Sequence, residues 1–325
     1  MNSRQIGSLS LDLDNLWTYM RIHGDAGWEQ YPSYLDTVVP RFLEFLDDRG
    51  LTITVFVVGK DATISSNFAA LRSICDAGHE IGNHSFMHEP WLHRYSPEAI
   101  ETEIATAHRA IVAATGEVPV GFRGPGFSLT PAVLESLDRH GYRYDTTTLP
   151  TFIGPLARRY YFRSTSLSSE EQEERSALFG SFSDGFQSNR PYQWKLAGGR
   201  ITELPVTTFP IVRVPFHFSY LLYLSTVSDV AARAYFAAGL KMCRLAKVGP
   251  TLLLHPLDFL GADDAPELAF FPGMAMSATV KMNRLGRYVD RLSAEFDVGP
   301  VGRYASAVAA SPSRIRSAAA AARQR

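Results

Sequence analysis

The chain has 325 residues, a formal net charge of −1 at pH 7, and 46% hydrophobic residues. This length and composition fit one large α/β domain or two small ones with a sizeable core. The balanced charge, with no basic stripe interleaved with aromatic residues, argues against a nucleic-acid-binding protein.

The first predicted element is a strand over residues 6–13, where aliphatic residues alternate with small or polar ones. Asp12 and Asp14 lie at its carboxyl end. Residues i and i+2 share one face of a strand, so both carboxylates can point into one pocket. An Asx turn with helix-capping carboxylates explains the pair equally well.

A series of alternating helices and strands follows the first strand. Ser96 and Pro97 are typical of a helix start, and Gly78, Gly116 and Gly141 are typical of helix ends. Repeated units of this kind imply a parallel sheet, and about seven of them suggest a barrel. The predicted elements are helices over 34–48, 65–77, 97–115 and 131–140, and strands over 51–59, 80–82, 120–123 and 142–145.

Two histidines, His84 and His88, follow the strand predicted over 80–82. On one turn of helix, residues four apart lie on the same face, so both imidazoles could reach one ion. Imidazole is the commonest metal ligand, and a catalytic metal site needs a further carboxylate or nitrogen. This spacing also occurs often by chance. The Asp12–Asp14 pair, which could supply the carboxylate, favours the metal-site interpretation.

The regular alternation stops at residues 151–199. This segment contains a charged helix-like part over 168–175 and a stretch rich in Gly, Ser and aromatic residues over 179–194. An insertion of this length over a barrel mouth is usually a lid or a substrate wall. We therefore predict an inserted lid or substrate segment here.

The pattern resumes with a strand over 201–206 and a helix over 227–246. A strand over 251–254 ends at His255, and a final helix over 277–295 precedes a possible edge strand over 296–298. From about residue 311 the sequence is low in complexity and rich in Ala, Ser and Arg, which predicts a frayed basic tail or a weak helix. We expect one catalytic domain over 1–310, which carries the 151–199 insertion, and a basic tail over 311–325.

Three further polar residues fall at predicted strand ends: Arg123, Asp145 and His255. In a parallel barrel, the carboxyl ends of the strands share one mouth. We therefore expect the polar residues at strand ends to converge there. The converging set is Asp12, Asp14, His84, His88, Arg123 and His255.

Five stretches, in order, resemble the five motifs of the NodB-type polysaccharide deacetylases, carbohydrate esterase family 4. They are SLDLDN, HSFMH, FRGPGF, YDTTT and LLLHPLD. The resemblance covers about residues 6–150 and 200–300, and the Asp-x-Asp spacing looks closer to the branch of purine-pathway and exopolysaccharide-associated deacetylases. Members of the family fold as a distorted (β/α) barrel and hydrolyse N-acetyl groups on amino sugars with a divalent metal. The resemblance therefore implies a distorted (β/α)7-like barrel and this activity.

The resemblance also implies roles for the residues of the metal centre. Asp14, His84 and His88 would bind a divalent metal, with zinc expected first and cobalt, manganese or nickel as alternatives. Asp12 would be the general base, and Arg123 would hold Asp12 in place and keep it ionised.

Other roles implied by the resemblance concern the acyl group and the amine. His255 would be the general acid that protonates the leaving amine, and the Gly126 N–H would stabilise the oxyanion. Phe127 stands one position beyond the family's usual aromatic residue, so any aromatic wall is displaced. Asp145 is the candidate that orients His255, and Asp258 is the alternative.

We thus expect a metal-dependent hydrolase that removes an N-acyl group, N-acetyl first, from an amino sugar or glycan intermediate. Alternatives are a hydrolase of a non-sugar amide, of the purine-degradation type, and a non-catalytic glycan-binding barrel. The aromatic stretch over 216–223 makes a lipid-linked substrate a hypothesis. No signal peptide and no run of roughly 18 apolar residues is visible. We therefore predict a cytoplasmic protein without a transmembrane segment, peripheral at the membrane if its substrate is lipid-linked.

Overall fold

The computed structural model describes residues 4–153, 182–271 and 273–323. Within these ranges, ten strands form one sheet. The strands are β1 (Ile6–Leu13), β2 (Thr54–Val57), β3 (Glu80–Asn83), β4 (Gly121–Phe122), β5 (Tyr144–Asp145), β6 (Tyr192–Lys195), β7 (Arg200–Glu203), β8 (Thr251–Leu254), β9 (Asp297–Gly299) and β10 (Arg314–Ser317).

Helices connect most of these strands. In chain order they are α1 (Leu16–His23), α2 (Leu35–Asp47), α3 (Phe68–Asp76), α4 (Pro97–Thr115), α5 (Pro131–Arg139), α6 (Phe218–Val227), α7 (Asp229–Ala246), α8 (Ala278–Glu295) and α9 (Val301–Ala309). The predicted caps of α4 are confirmed. Ser96 accepts a hydrogen bond from the Ala99 N–H, Pro97 begins the helix, and Gly116 ends it with a φ of 80°.

The strand order is β10-β6-β7-β5-β4-β3-β2-β1-β8, and β9 pairs with the start of β1. Only the β6–β7 pair is antiparallel among these described strands. The sheet is not closed. The predicted α/β class with a barrel-like, mostly parallel sheet is therefore confirmed, and the described part of the barrel is open.

The two faces of β1 explain its alternating sequence. Leu9, Leu11 and Leu13 are at most 1% exposed and pack in the main apolar core with side chains of α2. Because side chains alternate along a strand, Ser10 and Asp12 face the opposite side. That side holds the polar site.

The register places the ends of the strands at one edge. β1 lies between β2 and β8, with Asp12 opposite Phe56 and Leu11 opposite Leu254. The next strands along are β3 and β4, where Asn83 pairs with Phe122. The residues that follow β1, β3, β4 and β8 therefore lie at the same carboxyl edge.

The aromatic stretch after the insertion forms a helix of its own, α6, rather than leading into one helix over 227–246. Ser228 has an extended backbone (φ −157°), and its side chain caps α7 by accepting from the Ala231 N–H. Tyr220 and Tyr223 of α6 are 39% and 43% exposed. None of the helices that the structure describes is long and apolar enough to cross a membrane.

The C-terminal segment differs from the expected frayed tail or weak helix. Residues Arg314–Ser317 form β10, which runs parallel to β6, and the Arg316 guanidinium lies 4.8 Å from the Tyr192 ring centroid. Without β10, the outer edge of β6 would expose unpaired backbone groups, and β10 pairs with them. The expectation of a frayed tail is wrong for these four residues.

Part of the expected insertion belongs to the sheet, because β6 lies within residues 151–199 and pairs with β7. The charged part predicted over 168–175 falls outside the described residues. The role of the insertion and the domain boundaries remain predictions. A further helix, α9, follows the one that we expected to be the last.

Candidate metal and catalytic site

A buried carboxylate and two buried imidazoles meet at the carboxyl edge of the sheet. Asp14 Oδ1 lies 3.2 Å from His84 Nε2 and 3.0 Å from His88 Nε2. The three ligand atoms lie within 4.8 Å of one another, and in the described part of the chain they form a group that could hold a metal ion. The site thus brings together the three residues expected to bind metal.

The loop that carries the two histidines is not a helical turn, so that expectation is wrong. His84 directly follows β3, and Ser85 and His88 both have left-handed backbones, with φ of 60° and 51°. Glu103 of α4 holds the loop, because its Oε2 accepts hydrogen bonds from two consecutive backbone N–H groups, both at 3.0 Å. The two histidines therefore converge because Glu103 of α4 fixes the loop between them.

The proton positions on His84 indicate that a cation fits between these ligands. His84 Nδ1 lies 2.6 Å from the carbonyl oxygen of Arg123, which can only accept, so Nδ1 carries a proton. In the neutral ring, Nε2 then directs a lone pair at Asp14 Oδ1. Two lone pairs at 3.2 Å repel unless a cation lies between them. Tetrahedral zinc ligands are separated by about 3.3 Å, so the residues fit a divalent metal.

Charges in this cluster favour a bound cation as well. Burial by itself raises the pKa of Asp14, but the two neighbouring imidazoles, His88 first, favour the charged carboxylate and hold its pKa well below the usual value. Burial lowers the pKa of His84, while Asp14 and Asp12 raise it above its usual value. Asp14 is therefore ionised, in a site that attracts positive charge.

Two tyrosines orient Asp14. The Tyr19 hydroxyl donates to Asp14 Oδ2 at 3.2 Å, and the Tyr34 hydroxyl donates to the backbone carbonyl of Asp14. Hydrogen bonds of this kind fix a ligating carboxylate and tune its affinity for metal. Neither tyrosine was identified from the sequence, because each lies outside the five motifs.

Arg123 and Asp12 form a buried ion pair beside the candidate metal ligands. Arg123 Nη1 donates to Asp12 Oδ2 at 3.1 Å. Arg123 Nη2 donates to Ser10 Oγ at 3.3 Å and to Thr146 Oγ1 at 3.2 Å. Asp12 Oδ1 is buried and has no hydrogen-bond partner in the described ranges. This oxygen is thus available to accept a proton.

His255 directly follows β8 and is only partly buried. Its backbone N–H donates to Asp258 Oδ2 at 2.8 Å, and its Nδ1 lies 3.2 Å from Ser219 Oγ. The Ser219 hydroxyl donates to Asp258 Oδ1 at 3.0 Å. The carboxylate connected to His255 is therefore Asp258, the alternative considered from the sequence. Ser219 was not identified from the sequence at all.

A further histidine, His217, lies next to His255, with ring centroids 6.3 Å apart. It is 5% exposed, and its Nδ1 has no hydrogen-bond partner within the described residues. Burial and the nearby positive charges of His255 and Arg123 lower the pKa of His217 to about 3. His217 is therefore a neutral ring beside His255.

Asp145 has a different environment from the one expected. It is fully buried, and its carboxylate accepts hydrogen bonds from the Thr147 N–H at 3.1 Å and the Thr147 hydroxyl at 2.6 Å. It also shares a hydrogen bond with Glu203, and burial raises the pKa of both carboxyls. Asp145 thus joins β5 to β7. The expectation that it orients His255 or contacts substrate is not supported, because its contacts lie elsewhere and it is inaccessible.

Gly126 and Phe127 lie in a short 3-10 turn, Pro125–Phe127, after Arg123. Both have left-handed backbones, with φ of 58° and 59°. A Cβ atom at Gly126 would lie 3.0 Å from Pro90 Cβ, so this turn packs against the loop that carries His88. The oxyanion role of the Gly126 N–H and the wall role of Phe127 stay predictions.

The open, mostly parallel sheet and the Asp–His–His group at its carboxyl edge define a barrel-like α/β protein with a candidate metal site. The family model described as polysaccharide deacetylase matches residues 24–144. The resemblance to the NodB-type polysaccharide deacetylases, found from the motifs, is therefore confirmed. The matched range begins after Asp14 and ends before His255, and the assignment to the Asp-x-Asp branch stays a prediction.

Two curated relatives match one part of the chain. A peptidoglycan deacetylase of Helicobacter pylori is 28% identical over 125 residues, which are 38% of this chain and 40% of that protein. A peptidoglycan deacetylase-like protein of Gibberella zeae is 29% identical over 128 residues, 39% of this chain and 36% of that protein. The chain thus matches about two fifths of the length of these relatives.

Solved structures resemble the whole fold. A Mycobacterium smegmatis protein described as a polysaccharide deacetylase has a TM-score of 0.64 and 20% identity, over 97% of this chain and 95% of that chain. An allantoinase, Puue, has a TM-score of 0.54 and 17% identity, over 94% of this chain and 90% of that chain. At these identities the likeness establishes the fold alone.

Proposed function

We propose that this protein is a metal-dependent hydrolase that removes an N-acyl group, N-acetyl first, from an amino sugar or a glycan. The observation that carries the proposal is the Asp14–His84–His88 group beside Asp12, a buried carboxylate with one oxygen that has no hydrogen-bond partner among the described residues. A metal site and a base at one point are what hydrolysis of an amide needs. The family match supports the same chemistry.

Asp14, His84 and His88 are the residues that would hold the metal. A divalent ion there would polarise the acyl carbonyl and lower the pKa of a water from about 16 towards 7. Nitrogen and carboxylate ligands suit zinc first, with cobalt, manganese and nickel as alternatives.

Asp12 acts as the general base in this proposal. Its Oδ1 takes the proton of the attacking water, while Arg123 holds Oδ2 at 3.1 Å. The contacts of Arg123 with Ser10 and Thr146 fix the guanidinium, so the carboxylate stays aligned.

His255 acts as the general acid. An amine is a poor leaving group unless it receives a proton, and histidine protonates and deprotonates near neutral pH in many enzymes. The Gly126 N–H is proposed to stabilise the oxyanion that forms on the acyl carbonyl. Phe127, from the same turn, is proposed to contact the sugar.

One relative named above is a peptidoglycan deacetylase and the other is a peptidoglycan deacetylase-like protein, so muropeptide-type amino sugars are the first substrate class to test. The exposed Tyr220 and Tyr223 of α6 motivate a lipid-linked substrate as a second class. A cytoplasmic, membrane-peripheral location is proposed with that second class only.

Acyl release with metal-loaded protein tests the proposal. The panel comprises N-acetylated muropeptides, chitooligosaccharides, a nucleotide-linked N-acetyl amino sugar, a lipid-linked one, and allantoin as the non-sugar amide. We expect acetate from at least one sugar, and its loss in Asp12→Asn and His255→Ala. Asp36→Asn, which changes an exposed carboxylate of α2, is the matched control.

Each alternative has its own result in this assay. Turnover of allantoin alone would favour the non-sugar amide hydrolase. Sugar binding without release of acid from any compound would favour the glycan-binding barrel and overturn the proposal.

A further inference from the structure

The first turn of α6 touches the residue proposed as the general acid. Ser219 lies one residue after the start of this helix, and its Oγ is 3.2 Å from His255 Nδ1. On its other side, Ser219 Oγ is 3.0 Å from Asp258 Oδ1. The hydroxyl therefore bridges a carboxylate and an imidazole.

The available protons determine which group donates in each of the two hydrogen bonds of Ser219. Asp258 accepts on both oxygens, from the His255 backbone N–H at 2.8 Å and from Ser219, so it acts as a carboxylate. A serine hydroxyl has a single proton, which Ser219 gives to Asp258. Towards His255, Ser219 can then only accept. His255 Nδ1 must therefore be the protonated nitrogen that donates to Ser219.

Asp258 is buried among groups that favour its charged form. Burial raises its pKa above the usual value, and the charge of His255, the His255 backbone N–H and the Ser219 hydroxyl limit that rise. Ser219 itself is partly buried, and it is held on a helix rather than on a mobile loop. The bridge is thus built from fixed elements.

We propose that Ser219 is a positioning residue that connects Asp258 to His255 and keeps a proton on His255 Nδ1, which leaves Nε2 as the atom that exchanges protons with the substrate. The role of Ser219 in catalysis rests on the proposed function. The position of the proton on the His255 ring does not depend on that function.

The bridge suits the acid step. When the C–N bond of the amide breaks, its electron pair goes to the nitrogen, which takes the proton from Nε2 of the imidazolium. The ring that remains is neutral and still carries its Nδ1 proton, bonded to Ser219. The ring therefore keeps one orientation before and after the transfer. Without the bridge, a neutral ring can exchange its proton between the two nitrogens and rotate.

The tautomer is tested directly by NMR of the ring nitrogens in full-length protein labelled with ¹⁵N-histidine. The His255 signals are assigned by their loss in His255→Ala. We expect the neutral wild-type ring to show a protonated Nδ1 and an unprotonated Nε2. In Ser219→Ala, both signals should shift towards values of a ring that exchanges between tautomers. An Nε2-protonated ring in the wild type would overturn the proposal.

Kinetics with two leaving groups test the role in proton transfer. General acid catalysis typically contributes about 10²–10⁴-fold, and it matters for an amine but little for an activated phenolate. We expect Ser219→Ala to lower kcat on an N-acetyl sugar by about 10-fold or more with little change in KM, and to change cleavage of 4-nitrophenyl acetate less than about 3-fold.

The control is Ser225→Ala, in the same helix. Ser225 Oγ donates to the Leu222 carbonyl at 2.6 Å and has no part in the bridge. It should leave the amide-to-ester ratio unchanged. An equal loss on both substrates in Ser219→Ala would indicate a structural role only and overturn the inference. If the wild type cleaves no amide, the proposed function fails, and the NMR result still decides the tautomer.

Discussion

Arg123 and Asp12, which are 111 residues apart in the sequence, form a buried ion pair 3.1 Å long that joins the ends of β4 and β1. Arg123 is fully buried, and Asp12 is 4% exposed. The pair therefore has two consequences, one for the position of the proposed base and one for stability.

Replacing Arg123 by Met should destabilise the fold as well as reduce activity. Removal of one partner leaves Asp12 buried and uncompensated, which typically costs about 3–5 kcal/mol. Urea unfolding measures this loss. The control is Arg139→Met, whose ion pair with Glu101 is largely exposed and should contribute no more than about 1 kcal/mol. Equal effects of the two substitutions would contradict the prediction.

Asp14→Asn should remove a charged metal ligand while preserving the shape of the side chain. We expect the affinity for zinc to fall at least about 10²-fold, because even partners of metal ligands contribute 10- to 100-fold. Titration calorimetry with the metal-free protein measures this. His140→Ala, at a surface ion pair with Glu101, is the control and should keep the wild-type affinity.

Metal removal should lower thermal stability if the Asp14 site binds metal only in the folded state. Free metal at about 100 times its dissociation constant stabilises the fold by about 2.7 kcal/mol. We expect a chelator to lower Tm in the wild type and to have little effect on Asp14→Asn. An identical shift in both proteins would place the metal elsewhere.

Glu103→Ala should loosen the loop between His84 and His88 without touching either ligand. Glu103 accepts two backbone hydrogen bonds from this loop, and their loss should reduce metal affinity about 10-fold. Glu135→Ala, at an exposed position of α5, is the matched control. Unchanged affinity in Glu103→Ala would mean that the loop keeps its shape unaided.

Glu101 should contribute a pH-dependent part of the stability. Burial raises its pKa, but hydrogen bonds from Ser136, Arg139 and His140 outweigh this and lower it from 4.5 to about 2. A depressed folded-state pKa stabilises the protein above the unfolded value. That stability is lost as the pH falls from about 4.5 to about 2. The difference in unfolding free energy between wild type and Glu101→Gln should therefore shrink over this range, and a constant difference would contradict the assignment.

Local signals in the sequence predicted several elements to within a residue or two. The bounds of β1 and α4 follow from an alternating pattern and from two caps, which depend only on nearby residues. The convergence of Asp14, His84 and Arg123 followed from the rule that parallel strands end at one edge. Such inferences need no knowledge of side-chain contacts.

Other features depend on contacts between distant residues, and the sequence carried no sign of them. The loop at His84 owes its shape to Glu103, and β10 forms because the edge of β6 needs a partner. Ser219 contacts His255, which lies 36 residues later in the sequence. In the sequence, the stretch around Ser219 is notable only for its aromatic residues. Long-range pairing of this kind overrides local composition.

The central position of β1 between β2 and β8 bears on the order in which the candidate site forms during synthesis. Ser10 of β1 lies against Leu252 of β8, 242 residues later in the sequence. Contacts over such separations form slowly, because a long loop must close first. A nascent chain can therefore assemble the Asp14, His84 and His88 group well before His255 leaves the ribosome. The candidate metal ligands should therefore come together before β8 adds His255, the proposed general acid.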